Sequence, residues 1–216
     1  TYAPFRIPQI AMLKHNPPSL FRNEPFLPTL PISRPGWRDV LILLIGYIAL
    51  DWASYIHPLH GLNITPWNPA PALGLMFLLR FGKHAAWPLV IAILMADYWV
   101  RHLPASLPMS VGLAALLAAG YWAIAEGLRR RLASGGIFGD RQGLFEWAGI
   151  IIIGTLLNSL LFVSALSVGD LVPVGGFQEA FVRYWVGDCV GMLVTMPILW
   201  MLFDERGRAQ LRYLIV

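Results

Sequence analysis

Charge is scarce in this chain: Asp, Glu, Lys and Arg make up 13% of its 216 residues, while 57% are hydrophobic. A soluble domain carries about 25% charged residues to cover its surface, so the solvent for most of this surface is lipid. Cysteine is nearly absent as well. The single Cys189 excludes an internal disulfide and any multi-cysteine metal site. Deep in an apolar run, it is also a poor nucleophile. No local catalytic signature occurs: there is no Walker loop, Gly-x-Ser-x-Gly elbow, His-Glu-x-x-His pair or kinase signature. No enzymatic chemistry is expected within these residues. No cleavable signal peptide is expected in residues 1–36, which are proline-rich and polar with no apolar h-region. The net charge of +4 does not point to nucleic acid, since the basic residues sit at the ends of apolar runs rather than on one polar face.

What is present reads as one membrane domain with a tail at each end. Residues 1–36 carry Pro4, Pro8, Pro17, Pro18, Pro25, Pro28, Pro31 and Pro35, a density that prevents helix and favours extended, polyproline-like chain. With Phe5, Phe21 and Phe26 interleaved among Arg6, Lys14 and Arg22, this arm either touches anionic headgroups or lies on a partner protein. Residues 37–203 hold six apolar segments: Trp37–Ile56, Asn68–Phe81, Ala85–Leu103, Pro108–Arg131, Leu144–Val168 and Gln178–Phe203. A span takes about 20 apolar residues, and shorter ones are tolerated where protein surrounds them. The fold class expected is therefore all-α, a polytopic bundle of six transmembrane helices. Pro197 should kink the sixth. Residues 204–216 form a charged C-terminal segment.

With the N-terminus placed in the cytoplasm, fourteen of the sixteen Lys and Arg residues fall inside, and only Arg101 and Arg183 fall outside. That bias predicts that both termini lie in the cytoplasm. The setting expected is a bacterial inner membrane, with the lipid bilayer as one partner and other membrane or cytoplasmic chains engaged through residues 1–36 and 204–216.

Polar groups at membrane depth are costly and mark functional candidates. At about 1.5 Å of rise per residue, Asp51 stands roughly 20 Å along its helix from Arg38, and Asp97 roughly 18 Å from Ala85. On the same rise, Asp188 lies roughly 15 Å in from Gln178. All three, with Asn158, share one level. Two readings stand. In the first, the carboxylates hold the bundle together by pairing with Tyr55, Trp99 or Arg101, the last lying four residues after Asp97. In the second, Asp51, Asp97, Asn158 and Asp188, with Trp67 and Asn68 at the mouth of the second helix, line a pocket for a ligand or a proton. Arg183 projects away from Asp188 on the helical wheel, so the donor to Asp188 should come from another element, with Asn158, Trp67 or Asn68 as candidates.

The histidines do not form a metal site: His57 and His60 are separated by Pro58, and His102 ends a helix. No cofactor is implied. Most of the nine tryptophans fall near helix ends, where an aromatic belt places them. Gly187 and Gly191, four apart, would let another segment approach the sixth helix closely.

Two stretches resemble a known family. They are TPWNPAPALGLMFLLRFGKHAAWP at 65–88, through Trp67, Pro69, Gly74, Leu78, Leu79, Arg80, Phe81, Gly82, Trp87 and Pro88, and YWVGDCVGMLVTMPILW at 184–200, through Trp185, Gly187, Asp188, Gly191, Leu193 and Pro197. They are similar to the bacterial membrane-associated sensor domains of the first MASE type, which precede kinase and cyclic-di-GMP output domains. Asn68 departs from the usual proline, and the helices are fewer than is common there. The resemblance implies a sensory input module that passes a stimulus to a cytoplasmic output domain or partner. In such a module Asp188 would read the pocket, Pro197 would be the hinge, and residues 204–212 would carry the change inward. The alternatives are an accessory subunit of a membrane complex and a small-solute binding or transport component.

Overall fold

The computed structural model describes residues 33–55, 59, 62, 64–103, 105–132 and 141–203. The arm at 1–32, the segment 204–216, His57 and His60 lie outside them. Six α-helices appear at the expected places: α1 Trp37–Ser54, α2 Ala70–Phe81, α3 Ala86–Trp99, α4 Leu107–Leu132, α5 Arg141–Val168 and α6 Phe177–Phe203. Among the described residues there is no strand.

Proline places the start of α2. Pro71 sits in its first turn, where the missing N–H would have had no intrahelical partner. The helix ends at Gly82, whose φ of 61° reverses the chain into a short 3₁₀ turn over Gly82–Ala85. Leu89 of α3 then reaches back to Gly74 of α2, so α2 and α3 form a hairpin. Nine of the twelve α2 residues are buried, because α1, α4 and α6 all pack around it. The α2 C-terminus is tied to α4 by Arg129, whose guanidinium donates to the carbonyls of Leu78 and Leu79.

Four stretches are long and apolar enough to cross a membrane: Ala70–Trp99 across the hairpin, Leu107–Arg131, Arg141–Val168 and Phe177–Leu202. Helix α1 is not among them, since Arg38, Asp39 and Asp51 fall within its 18 residues. Neither arm of the hairpin alone, at 12 and 14 residues, has the roughly 20 of a full span. The outer faces are apolar. On α6, Val182, Val186, Val190, Val194, Ile198 and Leu202 form an exposed row at every fourth position, a surface that a water-soluble monomer does not present.

The described part of the link between α1 and α2 runs inside the bundle. Ile64, Thr65, Asn68 and Pro69 are buried. They lie against α6 at Gly187 and Gly191, which stand 10 and 14 residues into that helix. At about 1.5 Å per residue this is roughly 15–20 Å from the start of α6. The link between α1 and α2 therefore dips into the bundle, and α2 begins at the level of Asp188.

Candidate functional site

Backbone meets backbone where the link crosses α6. A Cβ on Gly187 would stand 2.2 Å from the carbonyl oxygen of Thr65, and one on Gly191 would stand 1.8 Å from that of Asn68. Only glycine lets the link come so near. The reward is a hydrogen bond, in which the Asn68 N–H donates to the Gly187 carbonyl at 3.0 Å. Unwound chain at membrane depth requires such partners, because neither lipid nor a missing helix turn supplies them.

The contact carries Asp188 into the interior, where it is fully buried. Asn68 donates through Nδ2 to its Oδ1 at 2.8 Å, and the Tyr121 hydroxyl of α4 donates to its Oδ2 at 2.7 Å. The Tyr184 hydroxyl, one turn earlier on α6, lies 3.5 Å from that of Tyr121. The donor from another element expected for Asp188 is thus Asn68. Arg183 points away and pairs with Glu179 at 2.8 Å. Trp67, 42% exposed, contributes its carbonyl to the Thr65 hydroxyl and nothing to Asp188.

A second cluster lies at the ends of α1 and α3. Arg101 reaches Asp97 through Nη1 and Asp51 through Nη2, so one guanidinium bridges two carboxylates. The i,i+4 pair with Asp97 followed from spacing; the arm to Asp51 did not. Tyr47, fully buried on α1, lies one turn before Asp51 and within electrostatic reach of Arg101, Asp97 and Asp188. Beside Asp97 and Arg101 a cavity of about 20 Å³, lined also by Ser110 and Phe162, has room for one water molecule.

Asn158 is separate from both. Its buried carboxamide lies on the α4 backbone at Gly120 and makes no hydrogen bond to the described residues. Pro197 lies inside α6, nine residues beyond Asp188, and the helix continues through it to Phe203. No group of three or more His, Cys, Asp or Glu side chains stands together as metal ligands among the described residues.

Sequence reasoning missed Tyr121 and Tyr184. The available signal was Tyr121 in the aliphatic run of α4, because a tyrosine buried in such a run needs a partner for its hydroxyl.

The MASE1 family model matches residues 39–212, which include all six helices from the first turn of α1 onward. The chain belongs to the MASE1 family. No curated protein and no solved structure matches it. Both stretches that carry the resemblance in sequence meet in space. One supplies the link and α2, the other supplies α6, and the contact between them at Gly187, Asp188 and Gly191 forms the centre of this MASE1 domain. As a MASE1 domain with membrane-capable helices, the chain is a membrane sensory domain.

Proposed function

We propose that this domain is an integral membrane input module that passes a stimulus through α6 to a cytoplasmic output domain or partner. The observation that carries the reading is the junction at Asp188, where α6 holds the N-terminal end of the buried α2 through Asn68 and holds α4 through Tyr121. A change in that junction alters the packing of α6 against its neighbours, and a rigid helix conveys the change along its length. Pro197 withholds an N–H from the turn before it and gives the inner part of α6 a place to bend.

In this reading all six helices lie in a bacterial inner membrane, with α2 and α3 as short arms shielded by protein and both termini cytoplasmic. Reporter fusions after Arg131 and Arg212 are expected to read cytoplasmic, and fusions at Gly61 and Gly175 periplasmic. A periplasmic signal after Arg212 would overturn the orientation.

The signalling role is tested by joining residues 1–216 in frame to a cytoplasmic kinase or cyclase domain. Asp188→Asn and Tyr121→Phe are expected to change the output at unchanged protein level in the membrane. Equal output from both variants and the parent would remove the Asp188 junction from the signalling path.

A further inference from the structure

The described interior holds three carboxylates, Asp51, Asp97 and Asp188, and one guanidinium near them, Arg101. Arg101 is taken by the first two. Asp188 is left with neutral donors only: a carboxamide and a phenol. A buried ionised carboxylate requires a countercharge or a proton, and no cation contacts this one among the described residues.

We propose that Asp188 is a proton-binding site. Its proton sits on Oδ2 and reverses the hydrogen-bond relay Asp188–Tyr121–Tyr184. The geometry accommodates both states without moving a heavy atom. With Asp188 as carboxylate, the Tyr121 hydroxyl donates to Oδ2 at 2.7 Å and accepts from Tyr184 across 3.5 Å. With Asp188 as acid, Oδ2–H donates to the Tyr121 oxygen, and the Tyr121 hydrogen turns toward Tyr184, a rotation open to any phenol. Asn68 donates to Oδ1 in both states, so the link stays in place. The other charged and titratable groups within electrostatic reach of the site are Tyr47 and Asp51 on α1, Arg101 after α3, and Cys189, the next residue on α6. Asp51 repels a second negative charge at Asp188, and the proton removes that repulsion. Arg101 is held by its own pair of carboxylates. The ligand is a proton and not a metal ion, because among the described residues one carboxylate is the only anionic group at the site, both its oxygens already accept a hydrogen bond, and the oxygens beside it are neutral phenols. The site exists whether or not the domain signals.

The test is infrared spectroscopy of the whole chain in lipid nanodiscs across a pH series. The expected result is a carboxylic-acid C=O band that falls as pH rises, is lost in Asp188→Asn and is retained in Asp51→Asn. Tyr121→Phe, which removes the hydroxyl that receives the proton's hydrogen bond, is expected to shift the band. If Asp188→Asn does not fold, that shift decides the matter in its place. The proposal is overturned by the absence of the band in wild-type protein, by its survival in Asp188→Asn, by its loss in Asp51→Asn, or by an unmoved band in Tyr121→Phe. It is also overturned if the band responds to sodium at fixed pH, since a metal cation would then be the ligand.

Discussion

Gly191→Ala is expected to lower the stability of the folded bundle by about 3 kcal/mol, the upper end of what overpacking costs, or to prevent folding in detergent. The added Cβ would stand 1.8 Å from the carbonyl oxygen of Asn68 and 2.4 Å from its carbon. Both are backbone atoms, which cannot rotate aside. The link must withdraw from α6, and the withdrawal takes with it the Asn68 N–H bond to Gly187 and the Asn68 side-chain bond to Asp188. Gly187→Ala is expected to behave alike, its Cβ falling 2.2 Å from the Thr65 oxygen. The control is Gly112→Ala on α4, where nothing lies within 4 Å. There alanine should gain about 0.5–1 kcal/mol, because glycine is the poorer helix former. Unfolding in mixed detergent, followed by circular dichroism, measures all three. A wild-type midpoint for Gly191→Ala would show that the link does not lie on α6.

Arg101→Met is expected to cost about 3–5 kcal/mol, the usual penalty for leaving a buried charge without its partner. Here the loss strands two carboxylates, Asp51 and Asp97, one of them fully buried. The same change combined with Asp51→Asn and Asp97→Asn should recover most of that loss, since a buried ion cluster replaced by neutral groups is often close to neutral overall. Arg101→Met alone and the triple variant are compared by the same unfolding assay. Equal losses in both would mean that the cluster contributes by packing of the arginine stem and not by charge.

The helices were legible because hydrophobic runs, prolines and basic residues fall in register along the chain. Each expected segment returns as a helix within a few residues of its expected bounds. The carboxylates Asp51, Asp97 and Asp188 were legible too, as charged groups inside apolar helices. Partners were not. Whether a carboxylate faces Asn158 or Asn68 depends on helix rotation and on the path of a linker, and the apolar faces of α5 and α6 are too uniform to fix either. The arm of Arg101 to Asp51 joins residues 50 apart, and Tyr121 meets Asp188 across 67. Neither pairing leaves a mark in local sequence. The hairpin of α2 and α3 is a similar case. Its apolar length suggests two spans, whereas the inward dip of the preceding link shortens α2, and this appears only when Gly187 and Gly191 are seen to receive backbone.

The dip of the link at Asn68 also constrains how the protein is made. Residues leave the ribosome in order, and helices enter the bilayer soon after. Yet the groups that satisfy Asn68, the carbonyl of Gly187 and the carboxylate of Asp188, are synthesised about 120 residues later. Until α6 arrives, the start of α2 has unsatisfied backbone and a carboxamide in an apolar setting, a state that favours chaperone or translocon contact over release. Helix α6 is therefore the one that lets α2 settle, and this domain matures only once α6 has been made.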